Sequence, residues 1–451
     1  MISLRDYQQD AVNLVRGAFK DGGKRVVLVV PTGGGKTRIG SAIAERAIMR
    51  GRRVLWLAHR TELIEQTAKT LHDHGLPVGV IAASSSWPVD LNAPVQVASI
   101  QTLLARDIRP ESHLIIPDEC HHISEAAPAW ASVFEAYRDV PTVGLTATPE
   151  RGDGAGLGPF FDRLVVGVTA RALTEAGHLV PCEVERPGRL LKPGQLAQEP
   201  LAAYQQHSPG QQGFLFAKSV EEAQRYADQF NAAGIRSVCV HAATKPEERT
   251  IALELFRQGV VRMLMNVFIF TEGTDLPQAS VCILARGAST AGIYLQMVGR
   301  VLRPHRSKKK AMLIDLRGVS HVHMMPEDER HFSLDGRGIT ASDVAKCKVC
   351  STELGVTGYP CLSCGYAPEA GDDQSKTDEI TGDPLVKYAR MIAQSPEQRF
   401  ETLVRWLRAA DAKGHKRSSV RYKWRAVYQS LPDSEMWNRA CEFASRAQVA
   451  A

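Results

Sequence analysis

Three consecutive glycines and a Lys-Thr pair, in Pro31-Thr32-Gly33-Gly34-Gly35-Lys36-Thr37, separate the β-branched run Val26–Val30 from a helix-forming stretch, Thr37–Met49. A strand that ends in a flexible turn and opens directly into a helix makes a cradle. Its glycines let backbone N–H groups curl inward, and the helix N-terminus adds partial positive charge. That cradle suits a polyphosphate: Thr32, Gly33, Gly34 and Gly35 line it, Lys36 reaches the β- and γ-phosphates, and the Thr37 hydroxyl ligates Mg2+. Such a unit belongs in a parallel α/β sheet, and the surrounding pattern agrees. Val54–Leu57, Val95–Ser99, Leu114–Ile116 and Thr142–Leu145 read as buried strands alternating with helical stretches. The alternation restarts with Phe214–Phe216, Ser237–His241, Val261–Asn266, Val281–Leu284 and Met312–Asp315. The spacing predicts an α/β fold of two tandem parallel-sheet domains, 1–184 and 213–330. A Pro-, Gly- and Gln-rich linker, 185–212, joins them and carries at most a short helix.

Composition excludes some classes. The chain has 451 residues, 44% of them hydrophobic and 23% charged, which is ordinary for a folded globular protein. No apolar run approaches the ~20 residues of a membrane helix, and Met1–Asp6 lacks a signal-peptide core. A cytoplasmic protein is the expectation. The balance of 55 basic against 49 acidic residues, a net charge of +6, permits a polyanionic partner without requiring one.

Many enzymes and motors use a phosphate loop, so a second acidic motif has to discriminate among them. Ile115-Ile116-Pro117-Asp118-Glu119-Cys120-His121-His122 ends a buried strand on two adjacent carboxylates. Asp118 suits Mg2+, and Glu119 suits orienting and deprotonating a water that attacks the γ-phosphate.

With both motifs in place, the chain resembles the superfamily 2 helicases and translocases, Asp118-Glu119-Cys120-His121 being a variant of their DEAD/DEAH box. Further segments match that family's motifs in order over residues 4–304. Leu4-Arg5-Asp6-Tyr7-Gln8 resembles the adenine-reading segment, with Gln8 as the base contact. Ala58–Leu63, with Arg60, and Ser99–Leu103, with Ser99, Gln101 and Thr102, resemble the nucleic-acid-contacting motifs. Leu145–Pro149 resembles the segment coupling hydrolysis to domain movement. Asn266–Pro277, with Thr271, Gly273 and Asp275, resembles the segment touching nucleotide and strand, and Gln296–Arg303 the arginine-finger motif. The resemblance implies two RecA-like domains closing on ATP. Gln296 and His121 would lie near the γ-phosphate, and Arg300 and Arg303 would stabilise its transition-state charge. This chain departs from the usual pattern at Pro117, which removes a ladder donor, and at Phe268 and Thr274.

Cys347-Lys-Val-Cys350 and Cys361-Leu-Ser-Cys364 have the spacing of a structural Zn2+ site, predicting a small zinc ribbon over 341–368. A redox dithiol is the rival reading. Residues 385–451 read as a helical element with a basic middle, Lys413–Arg425, where Tyr422 and Trp424 interleave with cations. That stretch reads either as a nucleic-acid contact or as a solvated helix. The combination is similar to RadD-like bacterial repair helicases and phage-encoded helicases, which implies the cytoplasm of a bacterial or phage-infected cell. The expected function is an ATP-dependent helicase or translocase on single-stranded or duplex DNA. RNA unwinding, duplex translocation without strand separation, and a weakly hydrolysing adaptor stay open.

Overall fold

The computed structural model describes residues 2–123, 128–151, 156–192, 194–267, 270, 275–335, 378–388, 396–412, 417, 420 and 434–446. Two compact units result, Met1–Lys387 and Tyr388–Ala451.

The first unit contains two α/β lobes. In the first lobe β1 (Arg25–Val29), β2 (Val54–Ala58), β3 (Val78–Ile81), β4 (Val95–Ser99), β5 (Leu114–Pro117), β6 (Thr142–Thr146) and β7 (Arg163–Val166) form one sheet in the order β3-β4-β2-β5-β6-β1-β7. Every pairing in it is parallel. Neighbouring residues of β1 and β2 enter opposite cores. Val26, Leu28 and Trp56 pack on one face, and Val27, Val29, Leu55 and Leu57 on the other. Burial on both faces is why these strands read as continuous apolar runs in place of alternating ones.

Pro117 lies in the middle of this sheet, and its effect is visible. The Asp118 amide donates to Leu57 of β2, so the missing Pro117 donor faces β6. The β5–β6 ladder accordingly runs from Ile115↔Thr142 to Asp118↔Leu145 in one register, with nothing paired between. The strand is loosened immediately before the two carboxylates.

The second sheet comprises β8 (Cys182–Pro187), β10 (Gly213–Phe216), β11 (Ser237–Val240), β12 (Met263–Asn266), β13 (Val281–Leu284), β14 (Ala311–Asp315) and β16 (Leu385–Tyr388). They lie in the order β11-β12-β10-β13-β14-β8-β16, while β9 (Gln195–Leu196) pairs with β15 (Glu379–Ile380). This corrects two sequence expectations. The segment 185–212 begins inside β8, which pairs in parallel with β14, and it contains the helix Pro200–His207, whose Tyr204 is fully buried. Leu385–Tyr388 is a strand of the second sheet, where a helical pattern was read. Both segments are short and polar-flanked, and their pairing partners lie well over sixty residues away, so no local period marks them.

The chain continues beyond β14 in a largely irregular segment tied down by hydrogen bonds. Both carboxylate oxygens of Asp315 accept backbone amides of the next turn, from Val319 and Ser320 among others. Arg330 is half-buried and donates to the carbonyls of His323, Met325 and Asp328. The chain then crosses to the first lobe, where Gly158 donates to the Leu334 carbonyl and Phe332 and Leu334 pack against the first-lobe core. This strap helps line a partly open pocket together with Val29, Thr32, Val168 and Leu295, to which it contributes Phe332. His321 and His323 each bond a backbone carbonyl, of Pro187 and Ala288 respectively.

In the second unit the helices Pro396–Ala412 and Ser434–Arg446 share a core of Leu403, Leu407, Trp437 and Ala440. Arg417, from the basic stretch, grips Asp411 in a fork, Nε to Oδ1 at 2.9 Å and Nη2 to Oδ2 at 2.6 Å. That pairing holds the Asp411 carboxyl below its ordinary range. The rest of Lys413–Arg425 apart from Val420, and Cys347, Cys350, Cys361 and Cys364, lie outside the described residues, as do Thr271, Gly273, Phe268 and Thr274. Among the described residues no group of three or more His, Cys, Asp or Glu side chains is placed to hold a metal ion, and no helix is long and apolar enough to cross a membrane.

Candidate active site

The glycine-rich turn adopts the conformation its sequence requires. Gly33 and Gly35 have φ of 87° and 82°, a left-handed region that side chains with a Cβ rarely occupy. Gly35 is the N-cap of the helix Lys36–Ile48, so the first free amides of that helix face the loop. Tyr7 braces the turn by donating to the Gly34 carbonyl at 3.1 Å. Gln8 is buried against Gly35, accepts the Arg5 amide at the start of its helix, and so joins the loop to the N-terminal segment. Thr37 is half-buried one residue into the helix.

The acidic pair lies opposite. Asp118 and Glu119 are both buried at the end of β5. Glu119 Oε1 meets Lys36 Nζ at 2.9 Å, with each side chain about nine-tenths covered. Glu119 has φ 48° and ψ 52°, a left-handed conformation in a residue that is not glycine. Strain of this kind costs on the order of 1–3 kcal/mol and is held only where the surroundings dictate it. Here they include the Asp118 carboxylate, which accepts the Glu119 amide at 3.0 Å, and the Pro117 break in the ladder. The sequence signals the carboxylates but not this geometry.

His121 ties the two lobes together. Its Nδ1 lies 3.0 Å from Thr146 Oγ1 and 3.4 Å from Glu119 Oε2, and its Nε2 lies 3.1 Å from the Gln296 amide nitrogen. The Thr146 hydroxyl proton is already given to the Thr148 carbonyl at 2.6 Å. His121 Nδ1 must therefore be the donor, leaving Nε2 to accept from Gln296. The ring is thus assigned as the neutral Nδ1–H tautomer.

The arginine segment approaches from the second lobe, after the helix Ala291–Gly299. Arg300 is buried at its end, and Arg303 pairs with Asp275 and brings its Cγ to 3.4 Å from where a Cβ on Gly33 would stand. A Cβ on Gly299 would stand 2.5 Å from Thr32 Cβ, so the phosphate loop and the helix touch backbone to side chain. Gly299→Ala ought to improve the isolated helix by about 1 kcal/mol while blocking this approach. Overpacking costs roughly 1–3 kcal/mol, so ATP turnover is expected to fall roughly 5- to 150-fold with little change in melting temperature. Steady-state kinetics beside a thermal melt check both halves.

Lys308 holds the arginine segment from behind, its Nζ donating to the carbonyls of Ala279 at 2.5 Å and Val301 at 2.9 Å. Burial, with Arg303 adding repulsion, lowers its pKa to about 7. The unfolded chain keeps that proton to about pH 10.4, so between these values it binds more protons than the native state. Lys308 therefore destabilises fully below about pH 7, and the penalty is relieved as pH rises. Lys308→Met should melt higher relative to wild type at about pH 6 than at about pH 9. Paired melts across that range test the slope.

The residues expected to meet a nucleic-acid strand are divided. Arg60 is half-buried at the start of the helix Thr61–Asp73, and Gln101 is exposed with Ser99 half-buried beside it. Thr102 is buried, its amide capped by Ser99 Oγ, so its side chain is not presented to solvent as the sequence reading expected. Glu62 adds an interlobe ion pair with Arg249 at 2.7 Å. His122, beside His121, and His59, beside His122, carry no signal in a phosphate-loop reading and were missed.

Two lobes of parallel sheet, a glycine-cradled lysine facing a strained glutamate, and arginines entering from the second lobe define the two-lobed nucleotide-site architecture. The family model for the res subunit of type III restriction enzymes matches residues 1–151, and that for the helicase conserved C-terminal domain matches 192–305. The chain belongs to the superfamily 2 helicases. It is 31% identical over 316 residues to a 51.5 kDa protein of a Lactococcus phage, covering 66% of each chain. To the DNA 3'-5' translocase XPB2 of Sulfurisphaera tokodaii it is 26% identical over 70% of this chain and 81% of that one. Its fold is similar to the ATP-dependent type ISP restriction-modification enzyme LlaBIII bound to DNA, with a TM-score of 0.54 and 17% identity over 71% of this chain. The chain covers just under two thirds of the phage relative and 28% of the restriction enzyme.

Proposed function

We propose that this chain is an ATP-dependent DNA helicase or translocase, coupling ATP hydrolysis between its two lobes to movement on DNA. The observation that carries the reading is the link from Lys36 through Glu119 and His121 to Gln296, because it joins the phosphate loop, the candidate base and the second lobe in one run of polar contacts. The residues fit a triphosphate: the glycine cradle leaves backbone amides and Lys36 for its oxygens, and Gln8 and Tyr7 border the loop. Lys36 leaves Glu119 for the β- and γ-oxygens. Glu119, freed from its ion pair and held by His121, then accepts a proton from the attacking water, whose oxygen bonds to the γ-phosphorus as the bridging P–O bond breaks. Arg300 and Arg303 stabilise the charge spread over the transferred group. Mg2+, held by Thr37 and Asp118, would neutralise phosphate charge. Arg60, Ser99, Gln101 and Thr271 are proposed as strand contacts, and Gly273, Asp275 and Gln296 as nucleotide contacts.

The test is steady-state ATPase activity without nucleic acid and with single-stranded DNA, duplex DNA or RNA. Stimulation by DNA is expected; stimulation by RNA alone overturns the substrate. Translocation on duplex without strand separation is the second reading, favoured by relatives described as a translocase and as restriction enzymes. Displacement assays on tailed and blunt duplexes separate the two. The four cysteines Cys347, Cys350, Cys361 and Cys364 are proposed to hold one structural Zn2+ on their spacing alone, and metal analysis of the purified chain, expected to give one zinc per chain, tests that.

A further inference from the structure

Strands β2 and β5 are neighbours, and their C-terminal ends deliver three imidazoles to one place. His59, just beyond β2, packs against His122 with ring centroids 4.1 Å apart and planes tilted by 52°, and His122 packs against His121 at 4.2 Å with a tilt of 40°. His121 in turn contacts Glu119 Oε2 and Gln296. On the other side, His59 is bonded directly to Arg60, the start of the helix Thr61–Asp73. The stack therefore begins at the segment proposed to meet nucleic acid and ends on the candidate base. None of these rings is needed to cradle a phosphate.

We propose that His59 is a positioning residue that couples nucleic acid engaged at Arg60 to Glu119 through the packed rings of His122 and His121; this rests on the function proposed above. The physical basis is packing in a confined space. Closely packed rings move together even when tilted, since opening a gap forfeits their contact on one side. A small displacement of Arg60 shifts His59, and the stack carries the shift to His121. His121 Nδ1 lies 3.4 Å from Glu119 Oε2, so a shift of the ring moves the carboxylate between its Lys36 partner and the position from which it can accept a proton. The coupling runs through named contacts and needs no change in the sheets. Coupling of this kind is typically worth a factor of about 5 to 150.

The experiment compares wild type, His59→Ala and His59→Phe in the full chain, reading kcat with and without DNA and the DNA dissociation constant by fluorescence anisotropy. The expected result for His59→Ala is a loss of DNA stimulation on the order of tenfold while DNA affinity changes less than about threefold. His59→Phe keeps a ring in the stack and should restore most of the stimulation. Full stimulation in His59→Ala overturns the proposal, and so does a fall in affinity matching the fall in stimulation, which would make His59 a binding residue. A wild-type protein that no nucleic acid stimulates overturns the functional reading itself, and this coupling with it. Histidine-detected NMR supplies a readout independent of turnover. The His121 ring resonances should shift in His59→Ala and stay near wild type in His59→Phe, and unshifted resonances in the alanine variant overturn the stack as a mechanical link.

Discussion

Glu119→Gln is expected to lower ATP turnover by about 10²- to 10⁴-fold, the range that a positioned general base contributes. The change is isosteric. The amide oxygen can still accept from Lys36 Nζ, now 2.9 Å from Oε1 of the carboxylate, while the amide nitrogen takes the place of Oε2 beside His121. What it cannot do is take a proton from water. Nucleotide affinity should therefore hold, because the cradle of Gly33 to Gly35 and the lysine are unchanged. The left-handed backbone at residue 119 is equally available to the amide, so the melting temperature should barely move. Single-turnover hydrolysis together with equilibrium binding of a fluorescent ATP analogue separates the two effects. A loss below about tenfold would show that another group deprotonates the water.

Arg303→Ala is expected to lower kcat by about 10³-fold or more, the scale of an arginine that meets transition-state charge, with the KM for ATP moving far less. The geometry argues for Arg303 ahead of Arg300. Arg303 lies beside Gly33 and its partly exposed guanidinium pairs with the largely exposed Asp275, a partner it can leave for the phosphate. Arg300 is buried under the helix end that touches Thr32. Arg303→Lys should rescue little, because an ammonium cannot offer the planar fork. Asp275→Ala releases the guanidinium and should cost much less than losing it. An Arg303→Ala enzyme with unchanged kcat and raised KM would instead place this residue in ground-state binding. Rates measured with saturating DNA make the comparison.

Much of the site is legible in the sequence because its chemistry is local. The glycines that take positive φ, the lysine one residue into the helix and the paired carboxylates at a strand end are set within a few residues of one another, where sterics and hydrogen bonding operate directly. The doubly buried strands are equally readable, since Val26–Val30 carries its burial in its composition. The Pro117 interruption follows from a missing donor and could be anticipated, and the structure adds which neighbour loses the bond.

The amino-acid sequence by itself determined the sheet class, the phosphate cradle and the identity of the candidate base, for those depend on backbone preferences and spacing over short windows. Tertiary structure alone decided what those groups touch. β8 joins the second sheet through a partner some 130 residues away, Gln296 reaches His121 across 175 residues, and Leu334 returns to Gly158 in the first lobe. His59, His122 and His121 meet because β2 and β5 are neighbours in a crossover topology, not because of any period in the chain. Contacts of that kind are fixed by how packed layers bring distant segments together, and local propensity carries no record of them.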